Sequence, residues 1–139
     1  EATAEALRGG WFHTGDIGTL DEKGYLYIMD RKKDMIISGG ENIASPEVER
    51  VIYEIPEVLE AAVVGIPHPK WLEVPKAYVV LKPGEAITME EVTQHCMVKL
   101  AKFKVPKEIE FIAQLPRNPS GKVLKRELRA MNRKKADEN

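Results

Sequence analysis

Two short runs constrain the fold of this 139-residue chain more than any other feature. They are Ala61-Ala62-Val63-Val64, inside the apolar stretch 58–66, and Ala77-Tyr78-Val79-Val80-Leu81. Neither alternates apolar with polar. A strand built from either must bury both faces, which predicts two central strands of a sheet covered on both sides. The intervening punctuation is helical. Ser45-Pro46-Glu47 reads as a helix start, with Ser45 as N-cap, Pro46 at the first helical position and Glu47 facing the positive end of the dipole. Val48, Val51, Ile52 and Ile55 form one buried stripe up to Pro56. Thr88 and Glu91 form a capping box ahead of a helix whose apolar positions are Val92, Cys96, Leu100 and Phe103.

Ile109-Glu110-Phe111-Ile112 alternates and supplies a third strand. A basic helix follows, with Leu124, Leu128 and Met131 on its stripe, and residues 133–139 are expected to fray. Upstream, residues 14–29 read as a hairpin turning at Asp21-Glu22-Lys23-Gly24. A second hairpin is expected around Gly39-Gly40, between Met35-Ile36-Ile37-Ser38 and Asn42-Ile43-Ala44. Between the hairpins lies Asp30-Arg31-Lys32-Lys33-Asp34, too charged to bury and so a surface connection or a linker between two bodies. The expected class is α+β: a small three-stranded sheet flanked by helices, preceded by a β-hairpin.

Composition narrows the chemistry. The net charge is −1, but residues 95–135 hold twelve Lys/Arg against three Asp/Glu, a local +9, which points to an anionic partner. The single Cys96 excludes an internal disulfide and a thiolate zinc cluster and fits a reducing, cytoplasmic setting. His13, His68 and His95 stand too far apart in sequence for metal-ligand spacing, so no metal is expected on the chain. No apolar run reaches the ~18–20 residues of a membrane span. The basic C-terminal helix offers phosphate contacts, but no aromatic platform accompanies it, and nucleic acid is not expected as a partner.

Three constellations carry possible chemistry. In Thr14-Gly15-Asp16 an ionised carboxylate behind two small residues can accept bonds from vicinal hydroxyls; an Asx turn explains the same residues. The charged run 30–34 with Gly39-Gly40 offers cations beside glycines that admit close backbone approach; taken alone, a solvated turn and an ordinary hairpin explain it better. Asn118-Pro119-Ser120-Gly121-Lys122 puts a lysine on a glycine-softened loop before a helix. It is not a P-loop, because Val123 stands where Ser/Thr belongs and position 116 is proline, and a plain surface lysine is the alternative.

The order of these pieces is more telling than any one of them. Gly10-Trp11-Phe12-His13-Thr14-Gly15-Asp16, the block from Asp30 through Met35-Ile36-Ile37-Ser38-Gly39-Gly40-Glu41-Asn42-Ile43, Pro46-Glu47-Val48-Glu49, and Leu115-Pro116-Arg117-Asn118-Pro119-Ser120-Gly121-Lys122 follow one another along residues 9–129. The chain resembles the C-terminal end of adenylate-forming enzymes, the superfamily of acyl-CoA synthetases, firefly luciferases and peptide-synthetase adenylation domains. The wording of the block 30–43 most resembles fatty-acyl-CoA and related stand-alone acyl-CoA synthetases.

The resemblance implies a fragment: residues 1–30 as the tail of a large N-terminal adenylation domain, and residues 31–139 as a small mobile domain, the lid. It implies an ATP-dependent carboxylate–CoA ligase that forms an acyl-adenylate and then a thioester, using ATP, CoA and a Mg2+ held mainly by the N-terminal domain, and a fragment inactive by itself. Asp16 would hold the ribose hydroxyls, with Arg31 assisting. Asp30 would be the hinge, Lys122 the catalytic lysine of adenylation, and Ser38-Gly39-Gly40 the lining of the CoA channel. A carrier-loading adenylation domain or a luciferase-like enzyme would share these features, and a basic nucleic-acid or protein binding module is the alternative of another class. Two departures stand out: Ile37 where some relatives have lysine, and Leu72 before Glu73 where many have glycine.

Overall fold

A computed structural model describes the backbone of residues 16–20 and 26–31, and all of residues 35–139. Strands β1 (Asp16–Leu20) and β2 (Leu26–Arg31) pair antiparallel, with Asp16 opposite Arg31 and Asp30 opposite Ile17. The expected hairpin is therefore present, and Asp30 and Arg31 belong to a strand. Thr14, Gly15, the turn 21–25 and Lys32-Lys33-Asp34 lie outside the described residues.

The rest is a five-stranded sheet with helices on both faces. Its strands are β3 (Ile36–Ser38), β4 (Glu41–Ile43), β5 (Val58–His68), β6 (Leu72–Leu81) and β7 (Glu108–Phe111). Its helices are α1 (Ser45–Tyr53), α2 (Met89–Lys99) and α3 (Lys125–Glu138). β5 and β6 pair antiparallel along their length. β6 takes β7 in parallel on its other edge and joins β3 through Ser38 opposite Leu72. The three expected strands are β5, β6 and β7, and the β3–β4 hairpin extends the sheet to five.

Period-2 geometry explains the two doubly apolar runs. Ala61, Val63, Ala77 and Val79 enter a core with Val48 and Ile52 of α1 and Val92 and Cys96 of α2. Ala62, Val64, Tyr78 and Val80 enter a second core with Leu115 and Leu128 of α3. β6 is central, as expected. β5 is not: among the described strands it pairs with β6 alone and forms the edge. Two-sided burial reports the helices above and below, not a strand neighbour. The open edge is covered by charge, since the Val63 N–H donates to Glu49 Oε1 at 3.0 Å and Lys125 Nζ lies 2.8 Å from that same oxygen.

Two boundaries move. Ala44, not Ser45, is the N-cap of α1 and makes no side-chain cap; the buried Ser45 hydroxyl instead accepts from Lys125 Nζ. The final helix does not fray at residue 133 but runs to Glu138. It is tied down by Asn132 Oδ1, which accepts from Lys76 at 3.0 Å, and by Lys135, 3.0 Å from Glu110. The capping box at Thr88 and Glu91 forms with both hydrogen bonds.

Candidate functional site

The β3–β4 hairpin turns on Gly39 and Gly40, at φ +57° and +85°. A two-residue turn with both φ positive matches the twist of the flanking strands and favours glycine. Gly39 needs it for a second reason: a Cβ there would sit 2.8 Å from Trp71 Cε3. Trp71 rides on the tip of the β5–β6 hairpin. His68 folds that tip, its Nδ1 accepting from the backbone N–H of Lys70 at 3.1 Å and of Trp71 at 3.2 Å. Trp71 O then accepts from Gly39 N at 2.8 Å, and Glu73 Oε2 from Ile37 N at 3.0 Å. Between them Leu72 adopts φ +73°, the left-handed region.

Beside this clamp runs a groove of about 420 Å3, lined by Ser38, Gly39, Glu41, Trp71, Lys102, Phe103 and Lys107. It is aromatic and cationic together. Lys70 sits 4.6 Å over the Trp71 ring. Lys102 and Lys107 are exposed and make no ion pair among the described residues. Ser38 and Gly39 line this groove, and Gly40 stands at the turn beside it, outside its lining. Trp71, Phe103 and Lys107 were not singled out from sequence. Phe103 reads as a core residue and does pack on the first core, yet its ring also lines the groove. The signal available was a tryptophan inside a Pro-His-Pro-Lys-Trp turn, where burial gives no reason for one.

A second groove, about 350 Å3, is lined by Asn118, Lys122, Val123, Leu124, Lys125, Arg126 and Arg129. It shares no residue with the first. Lys122 stands exposed at its rim, and its ammonium has no partner among the described residues. The loop beneath it is tightly bonded. Gly121 turns it at φ +90°, and Arg117 bridges Val123 across it. Asp16, Asp30 and Arg31 are placed only by backbone, in β1 and β2.

The remaining candidates are structural. His95 Nε2 lies 2.9 Å from Val51 O and 3.2 Å from Glu54 Oε1, tying α2 to α1. Cys96 is fully buried, and burial pushes its thiol up to about 11, so it carries almost no thiolate at neutral pH. Among the described residues no cluster of three His, Cys, Asp or Glu could hold a metal ion. Among them, too, no helix is long and apolar enough to cross a membrane.

Residues 47–122 match the family model for the AMP-binding enzyme C-terminal domain, a match that ends on Lys122. The chain belongs to that family. A 2-succinylbenzoate–CoA ligase of Bacillus cereus is 54% identical over 131 residues, covering 94% of this chain and 27% of that protein. A solved fatty acyl CoA synthetase of Mycobacterium tuberculosis is 50% identical with a TM-score of 0.75, over 94% of this chain and 26% of that one. ATP-bound MatB from Rhodopseudomonas palustris is 42% identical with a TM-score of 0.90, and its apo structure, over the same shares, scores 0.74. One relative thus gives two scores over one matched share, so the arrangement of that region differs between its two structures. The chain thus spans about a quarter, 27%, of the length of this curated relative. Identity is high to a succinylbenzoate ligase and to a fatty acyl CoA synthetase alike, so the wording of the block 30–43 does not choose between those acids.

Proposed function

We propose that this chain is the lid of an ATP-dependent carboxylate–CoA ligase and serves both of its half-reactions. One observation carries the reading: a single small domain presents two grooves with no residue in common, one offering Lys122 and the other a glycine hairpin against aromatic rings and lysines. In the first half-reaction a carboxylate oxygen attacks the α-phosphorus of ATP and pyrophosphate leaves. Lys122 supplies a mobile positive charge to the oxygens that gain negative charge in that transition state. Asp16 and Arg31, opposite one another in the backbone register of β1 and β2, are the residues assigned to the ribose.

In the second half-reaction the CoA thiolate attacks the acyl carbon and AMP leaves. Trp71 and Phe103 give the stacking surfaces a purine needs, Lys102 and Lys107 meet its phosphates, and the bare backbone at Gly40, with open space where a side chain would stand, admits the thin pantetheine arm. Asp30, the last residue but one of β2, is the hinge between the bodies 1–30 and 31–139. The two scores against the two MatB structures support a hinge. Ile37, 43% exposed, brings no charge to the thioester step. Mg2+ would be held mainly by the N-terminal domain.

The test is an assay of the full-length protein with ATP, CoA and carboxylic acids. Acid selection lies upstream of the lid, so 2-succinylbenzoate and fatty acids of graded length, the acids named for relatives, come first. Acid-dependent pyrophosphate release followed by CoA thioester is expected. Pyrophosphate release with no thioester from any acid would contradict the reading.

A further inference from the structure

We infer that Asn118 is a positioning residue for Lys122, an inference that rests on the proposed role of that lysine in adenylation. Both backbone polar groups of Lys122 end on this one residue. The Lys122 N–H donates to Asn118 Oδ1 at 2.9 Å, and the Lys122 carbonyl accepts from the Asn118 N–H at 2.9 Å. The same carboxamide oxygen accepts from Ser120 N at 3.0 Å and Ser120 Oγ at 2.7 Å, and the Asn118 carbonyl accepts from Gly121 N at 2.9 Å. Residues 118–122 are thereby closed around one side chain, and only the Lys122 side chain is left unbonded.

The closed loop is also fixed to the domain at both stalks. On one side Arg117 pairs with Glu60 of β5 and donates to the Gly121 carbonyl. On the other, Lys125 pairs with Glu49 of α1 at 2.8 Å. Ser120, Gly121 and Lys122 are exposed and none of these bonds lies in either core. The bonds within the loop join exposed groups, trade against water and stabilise the fold little. Their consequence is geometric: they fix the Lys122 Cα, and with it the reach of the ammonium. A misplacement of about 1 Å in a group that must meet a transition state can cost ~10²-fold in rate.

The experiment measures both half-reactions of the full-length enzyme, acyl-AMP formation and thioester formation from supplied acyl-AMP. It uses Asn118→Ala, Asn118→Asp and Lys122→Ala. Asn118→Ala should lose about 10–100-fold in adenylation kcat, with KM for ATP and the thioester step within about threefold of the parent and an unchanged melting temperature. Asn118→Asp keeps an acceptor oxygen for the same three donors and should recover most of the rate. Equal loss in both half-reactions, or no recovery with aspartate, overturns the positioning role. So does full adenylation by Asn118→Ala while Lys122→Ala adenylates slowly. If Lys122→Ala itself adenylates at the parental rate, the fault lies with the role of Lys122, and the inference falls with it.

Discussion

Leu72 carries the clearest local conflict in the chain. Its φ of +73° belongs to glycine, and its side chain is 69% exposed, so burial returns little for the strain. A left-handed non-glycine residue costs about 1–2 kcal/mol, and glycine costs about 0.5–1 kcal/mol in unfolded-chain entropy. Leu72→Gly should therefore stabilise the chain by roughly 0.5–1 kcal/mol in urea denaturation; a loss of stability would show that the leucine is packed after all. The sequence shows that a residue other than glycine stands there. It does not show the sign of φ, because that follows from His68 and Trp71 closing the hairpin.

Lys76 is the opposite case, a charge hidden where sequence gives no warning. It is 1% exposed, 3.2 Å from Glu110 and 3.0 Å from Asn132. Burial acts to lower its pKa, but the hydrogen bond to Glu110 and the Tyr78 side chain outweigh it, and the net shift is upward from 10.5. Glu110 shifts downward from 4.5, because hydrogen bonds from Lys135 and Lys76 outweigh its own burial. Lys76 thus stabilises fully below pH 10.5, and its contribution fades as pH rises through its folded value. Glu110 stabilises above pH 4.5, and its contribution fades as pH falls through its folded value. The buried Cys96 thiol, raised from 9.0 to about 11, begins to cost stability above pH 9, so stability should be flat between pH 4.5 and 9. Lys76→Met should lower the plateau by about 3 kcal/mol and make the alkaline limb shallower, leaving the part set by Cys96 and Tyr78. An unchanged alkaline limb would mean that another group sets it.

At the scale of elements, helix faces and capping were legible because periodicity and caps are local. Edge position was not, because it depends on which strand arrives beside β5. The run Ala61-Ala62-Val63-Val64 reported two covered faces correctly, and the structure adds that Glu49 stands where a neighbouring strand would. Glu49→Ala removes the acceptor of Val63 N–H and the partner of Lys125 together. A hydrogen bond to a charged group is worth about 1.5–3 kcal/mol, so a loss of about 2 kcal/mol is expected. A loss below about 0.5 kcal/mol would show that water replaces the carboxylate at this edge. The end of α3 is not legible in the sequence for a related reason, since its anchors Lys76 and Glu110 come from strands distant in sequence.

At the scale of the whole molecule, the order of motifs was legible across most of the chain, while the aromatic half of the first groove was not. Trp71, Phe103 and Lys107 come from a hairpin tip, a short 3-10 turn at Lys102–Lys104 and the segment before β7. Only the folded sheet brings them to Gly39. The central claim is that two separate grooves of one lid serve two separate chemical steps. The most direct measurement compares Lys122→Ala with Gly39→Ala in the full-length enzyme, timing acyl-AMP formation and thioester formation independently. Lys122→Ala should lose about 10²–10³-fold in adenylation and little in thioester formation. Gly39→Ala, whose new methyl meets the Trp71 ring, should show the reverse preference. Two variants that impair both steps in the same proportion would contradict the account.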